Sequence, residues 1–162
     1  MSISIRSATS ADAKVIADFN NRMAMETEGN ALSNDLIVPG VSALLHDATK
    51  GRYWVAVAEE SIVGQIMVTY EWSDWRNGML WWIQSVYVHE DFRRRGIFSA
   101  LYRHVESLAA AEADVRGLRL YVEEENRGAQ KTYESLGMSV TGYRVMETIF
   151  EHGGEKGSDP IK

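Results

Sequence analysis

Cysteine is missing altogether from the 162 residues. That absence excludes disulfides, thiolate nucleophiles and cysteine-based zinc sites, and it is compatible with a reducing compartment. The histidines, at 46, 89, 104 and 152, show no ligand spacing, so no metal is expected. No stretch approaches the ~20 apolar residues that a membrane span needs. The opening Met-Ser-Ile-Ser-Ile-Arg lacks the basic segment leading into an apolar run that marks a signal peptide. The expected location is therefore the cytoplasm, away from any membrane. Positive charge is in deficit as well, with 17 Lys and Arg against 23 Asp and Glu and a net charge of -6. A broad nucleic-acid-binding surface is not expected from that balance. Internal repeats and low-complexity segments are also missing.

What is present describes an ordinary globular chain, 45% hydrophobic and 25% charged. At this length folding buries roughly two-thirds of the unfolded surface, so one core suffices without staples. A single domain is expected over residues 1–151. The Gly, Lys, Ser, Asp and Pro of 152–162 suggest a frayed tail.

Ser2 to Ser7 alternates polar and apolar residues as a short strand does. Ser10 and Asp12 can cap a helix with Ile16, Phe19 and Met23 on its apolar face, fading near Glu28-Gly29. Residues 30–38 read as a loop, and Pro39 suits the first turn of a second helix reaching about His46. Strands are expected at Tyr53–Ala58 and Ile62–Trp72, joined by a hairpin turn at Glu59-Glu60-Ser61. Asn77-Gly78 then turns the chain into a long strand, Met79–His89. An amphipathic helix carries Leu101, Val105, Leu108 and Ala109 inward. Gly117 ends it, and Leu118–Glu123 follows as a strand. Asn126 caps a last helix to Leu136, with Gly137 at its left-handed end, and Met138–Phe150 closes the chain as a strand. The pattern is a mixed α/β domain, largely antiparallel first and with a strand–helix–strand crossover later.

The chemistry concentrates where the long strand runs through Asp91-Phe-Arg-Arg-Arg-Gly96 into a helix. A helix amino terminus has unpaired N–H groups and a positive dipole end. A glycine that allows close approach makes such an end a phosphate cradle. Arginines there are unfavourable unless an anion joins them. The GxxxxGK[ST] pattern of a P-loop and the GxGxxG of a dinucleotide fold are both missing.

Arg93, Arg94, Arg95, Gly96, Ile97 and Phe98 instead resemble the first signature of the GNAT family of coenzyme A-dependent acetyltransferases. Phe98 departs from its pattern, standing where glycine or alanine is usual. The second signature resembles Tyr121-Val-Glu-Glu-Glu-Asn126, followed by Ala129, Tyr133 and Leu136-Gly137-Met138. The resemblance covers roughly residues 3 to 150. It implies the GNAT fold, a mostly antiparallel sheet whose central strand pair splays apart, with flanking helices.

The same resemblance implies acetyl-CoA as cosubstrate, held along Val86, Tyr87 and Val88, with Val86 and Val88 meeting the pantetheine arm through backbone groups. Arg93 through Ser99 would hold the pyrophosphate, its backbone N–H groups from Arg94 onward doing the binding. Asn126 would contact the arm. Tyr133 lies two helical turns beyond Asn126 and so on the same face. It would protonate the departing thiolate; packing on Ala129 and Leu136 is the other reading of that tyrosine.

The acceptor must be a neutral amine. Where many family members carry a glutamate that deprotonates it, this chain has Gln84, which cannot act as a base. Glu26, Glu28, Glu71, Asp74 and Glu123 are the carboxylates to inspect, and His89 reads as surface. Trp72, Trp75, Trp81 and Trp82 surround the Asn77-Gly78 turn. They suit hairpin packing or a homodimer interface. They also suit an acceptor pocket in which indole faces and Asp74 or Glu71 hold a cation, with Met25–Gly29 opposite. The expected activity is transfer of acetyl from acetyl-CoA to the primary amine of a small molecule. The alternatives are a protein or peptide N-acetyltransferase and a non-catalytic acyl-CoA sensor.

Overall fold

A computed structural model describes residues 2–151, so the expected tail at 152–162 lies outside the described residues. Two compact units follow one another, the first ending at Tyr121 and the second beginning at Val122.

The first unit holds β1 (Ile3–Ser7), α1 (Ala13–Glu28), α2 (Asn34–His46), β2 (Arg52–Ala58), β3 (Ser61–Ser73), β4 (Gly78–Val88), α3 (Ile97–Ala111) and β5 (Val115–Leu120). Its five strands lie side by side in chain order. Pairing is antiparallel from β1 to β4, and β5 runs parallel to β4. A parallel neighbour needs a long crossover, and α3 supplies it. This is the mixed, mostly antiparallel α/β arrangement that the pattern implied.

Strand alternation sends successive side chains to opposite faces, and each face has its own cover. Tyr53, Val55 and Met67 meet Ile16 and Ala17 of α1 and Val41 of α2. On the other face Trp54 stacks on Trp81, with ring centroids 6.2 Å apart, and meets His104 of α3 edge-on. There α3 buries Ile97, Leu101, Tyr102, Val105 and Ala109. Gly64 admits the helix: a Cβ on it would lie 3.2 Å from Ile97 and 3.3 Å from Leu101.

Ahead of α1, Arg6 donates both terminal nitrogens to Asp12, at 2.8 and 3.0 Å, and the Thr9 N–H reaches the same carboxylate at 2.8 Å. The Arg6 hydrogen bond outweighs burial, and with the Thr9 N–H it holds the Asp12 pKa below its ordinary 3.8. A depressed folded pKa adds stability above the unfolded value, and that stability is lost as pH falls through the folded one. Asp12→Asn is therefore expected to lower stability by about 1 kcal/mol at neutral pH. Urea titrations at a series of pH values should show that gap closing below pH 3.8; a gap constant down to the lowest pH would refute the linkage.

Three expectations need correction. The second helix begins at Asn34, not near Pro39, so residues 34–38 are helical and Pro39 lies inside. Ser33 precedes its first turn, Asp35 lies within it, and the earlier start lets Ile37 pack with Val41 and Leu44 against the core. Proline costs this helix one interior donor, which that burial offsets. The long helix ends at Ala111, not at Gly117, and β5 starts at Val115. Pairing decides that register, because Trp81 and Ile83 of β4 align with Leu118 and Leu120. Finally, residues 138–151 form neither helix nor strand. A strand needs a ladder partner for its N–H and C=O groups, and alternating side chains do not provide one.

The second unit contains α4 (Arg127–Ser135). Asn126 Oδ1 accepts from the Ala129 N–H at 3.1 Å, the expected cap. At the other end Gly137 adopts φ +102°. Its N–H donates to the Glu134 carbonyl at 3.0 Å, and the Met138 N–H donates to the Tyr133 carbonyl at 3.0 Å. That pair of bonds is a Schellman closure.

Candidate functional site

β4 pairs with β5 only from Met79 to Ile83, where β5 ends at Leu120. β4 itself continues to Val88. Among the described residues Gln84–Val88 are therefore paired on the β3 side alone. This opening is the splay that the resemblance implied, a stretch of β4 that β5 does not pair and that an extended ligand could join.

The same stretch contains a bulge that the sequence reading missed. Gln65 pairs with Tyr87 and Met67 with Gln84, so Ile66 alone faces both Ser85 and Val86. Ser85 sits at φ +49°. Glycine at that position would have signalled a left-handed residue; serine gives no such warning.

Beyond β4 the chain turns tightly. His89 Nδ1 accepts from the Asp91 N–H at 3.2 Å, and the His89 carbonyl accepts from the Phe92 N–H at 2.9 Å. The His89 ring lies 6.4 Å from that of Phe19 and 5.9 Å from that of Phe92, half-buried and not simply on the surface. Arg94 then adopts φ +62° and Gly96 φ +77°. α3 starts directly, with the Ala100 N–H donating to the Gly96 carbonyl at 3.0 Å. The N–H groups of Ile97, Phe98 and Ser99 fall in the first turn, where a helix offers no acceptor of its own. Ile97 is buried, Phe98 half-buried and Ser99 exposed. A Cβ on Gly96 would meet nothing within 4 Å, so the ground before the helix is open. Backbone donors of this kind, beside Arg94 and Arg95, fit a pyrophosphate.

The Arg93 side chain turns away from the helix start. Its Nη2 donates to Glu26 of α1 at 2.8 Å and its Nε to the Val88 carbonyl at 2.9 Å. Tyr87 donates its hydroxyl to the other Glu26 oxygen at 3.0 Å. Burial, then the Glu26 hydrogen bond and charge, push the Tyr87 phenol pKa up. Burial opposes the Arg93 charge, but the Glu26 hydrogen bond and charge prevail and hold its pKa above the ordinary value. A cavity of about 290 Å³ lies here, lined by Asn21, Arg22, Met25, Glu26, Tyr87 and Glu90.

The other expected residues separate. Gln84 donates its amide to Thr69. Glu71 holds Arg119 at 3.1 Å, whose guanidinium lies 6.0 Å over the Trp82 ring. The four tryptophans do not form one cluster: Trp81 is buried against Trp54, Trp82 meets Tyr121, and Trp72 and Trp75 are exposed. Trp72 and Asp74 do not line the Glu26 cavity, whereas Met25 does. Asn126, Tyr133 and Glu123 belong to the second unit. Among the described residues no three His, Cys, Asp or Glu gather as metal ligands, and no helix is long and apolar enough to cross a membrane.

The model of the acetyltransferase (GNAT) family matches residues 23–138. Among solved structures, one described as a possible acetyltransferase from Clostridium difficile 630 is 47% identical. The match covers 93% of this chain and 99% of that one, with a TM-score of 0.87. A ribosomal-protein-alanine N-acetyltransferase from Brucella melitensis biovar Abortus 2308 is 18% identical, covering 93% of this chain and all of that one at a TM-score of 0.74. An aminoglycoside acetyltransferase, HMB0005, from an uncultured soil metagenomic sample is 16% identical, again covering 93% and 100%, at 0.72. No curated protein matches the sequence. The splayed strand and basic helix start thus stand in a fold that acetyltransferases share. The chain belongs to the GNAT acetyltransferase family.

Proposed function

We propose that the protein transfers the acetyl group of acetyl-CoA to the primary amine of a small molecule. One observation carries this reading: β4 leaves β5 after Ile83 and runs through the left-handed Arg94 and Gly96 into α3. The β4 edge beyond Ile83 suits the pantetheine arm, taken by Val86 and Val88, and the helix start suits the pyrophosphate. Asn126 would reach the arm with its Nδ2, since its Oδ1 caps α4.

The amine lone pair attacks the thioester carbonyl carbon, the C–S bond breaks, and a proton goes to sulfur. Tyr133 supplies that proton, as the second signature implies. Gln84 cannot accept the amine proton. Glu26 is the carboxylate with the best claim, because it lines the cavity beside the end of β4. The cavity, about 290 Å³, is of a size for a small amine.

The test follows free thiol in a mixture of protein, acetyl-CoA and a panel of polyamines, aminoglycosides, amino acids and short peptides. Amine-dependent release is expected. Release with peptides alone would favour a protein or peptide acetyltransferase. Coenzyme A binding without release from any amine would favour a sensor. No binding in calorimetry would sink the proposal.

A further inference from the structure

Gln65 stands on β3 across from Tyr87, beside the β4 bulge. Its side chain is wholly buried, at 0% exposure. The amide Nε2 donates to the Ser85 carbonyl at 3.0 Å and to Asn20 Oδ1 at 3.1 Å. Asn20 in turn donates through Nδ2 to the Tyr53 phenol at 3.2 Å. Gln65 Oε1 is buried and has no hydrogen-bond partner.

Stability alone does not account for this residue. A buried amide with an unpaired oxygen bears the full desolvation cost of that oxygen. Methionine has a similar length and would fill the space without it. What glutamine adds is an amide Nε2 that reaches one backbone atom, the Ser85 carbonyl, besides the Asn20 side chain. Ser85 sits at φ +49°, which a serine enters only at a cost. Released, it would relax to extended backbone and the extra residue of the bulge would vanish. A one-residue slip sends every following side chain to the opposite face. Tyr87 would then leave α1, and the groups of Val86 and Val88 would turn with it.

We propose that Gln65 is a positioning residue whose buried amide, bonded to the Ser85 carbonyl, holds β4 in the bulged register that presents Val86 and Val88 to the acyl donor. Its effect on donor binding rests on the acetyltransferase reading; its hold on the bulge does not.

Gln65→Met keeps the length and removes the donor. Two signals decide: the backbone chemical shifts of Ser85, which report its left-handed conformation, and the calorimetric Kd for coenzyme A. The Ser85 shifts should move to extended values and the Kd should rise about tenfold. Val105→Ala, in the α3 core, should lower the melting temperature and move neither signal. Adding Ser85→Gly to Gln65→Met should restore the Kd to within about twofold, because glycine enters positive φ freely. Unchanged Ser85 shifts in Gln65→Met would overturn the proposal, as would a weakened Kd that glycine does not rescue. Should Gln65→Met not fold, Gln65→Leu decides in its place, since it too removes the amide bonded to the Ser85 carbonyl. There a shift of Ser85 in the same direction supports the proposal and its absence overturns it. If the wild-type protein binds no coenzyme A, the acetyltransferase reading fails, and the Ser85 shifts alone decide the hold on the bulge.

Discussion

Tyr133→Phe is expected to lower kcat about 10²- to 10³-fold, while the Kd for coenzyme A changes by less than about threefold. The phenol has one proton to give, and phenylalanine keeps the ring but not the proton. Without it the thiolate must leave unprotonated or take a proton from water, and both routes raise the barrier at C–S cleavage. A purely structural tyrosine behaves differently, since losing its hydroxyl would change the melting temperature and the yield of folded protein. Steady-state kinetics with the best amine of the panel, alongside calorimetry on the same preparation, separate the two. A kcat within threefold of wild type would remove Tyr133 from the mechanism. Unchanged stability with collapsed turnover is the expected pattern.

The largest stability effect is expected at Trp54. Its side chain is 1% exposed. It stacks on Trp81, meets His104 edge-on, and has the Arg52 guanidinium 4.6 Å over its ring. Trp54→Ala would empty the space between the sheet and α3 and expose three partners. Large-to-small changes of this kind cost about 3–5 kcal/mol. For a chain of this size that is about 10–15 °C in melting temperature. Thermal and urea unfolding should show it directly. A loss under 1 °C would mean that the α3 face closes around the gap, against the rigidity expected of a packed interior.

Local signals in the sequence led to most elements. Alternation in Ser2–Ser7, spacing in Leu101 and Val105, and the Asn126 cap each depend on neighbours a few residues away. Such features survive without knowledge of the fold, and the structure contains all three. The misplaced features depended on distant partners. β5 takes its register from Trp81 and Ile83, thirty-odd residues earlier. α2 starts early because Ile37 finds the core. The alternating side chains of 138–150 have no ladder to join among the described residues.

The candidate site divides in the same way. Arginines before Gly96 and a strand leading into a helix are a short-range pattern, readable from adjacent residues. The sequence by itself determined that a basic, glycine-bearing helix start exists in this chain and that its signatures resemble those of acetyltransferases. Only the tertiary structure decided that Arg93 would spend its side chain on Glu26, that Trp81 and Trp82 would face opposite ways, and that Gln65 would hold the Ser85 carbonyl. The reason is physical. Propensity and capping act over a few bonds along the chain. A hydrogen bond between residues twenty or more positions apart exists only once the sheet has brought them within 3 Å of each other.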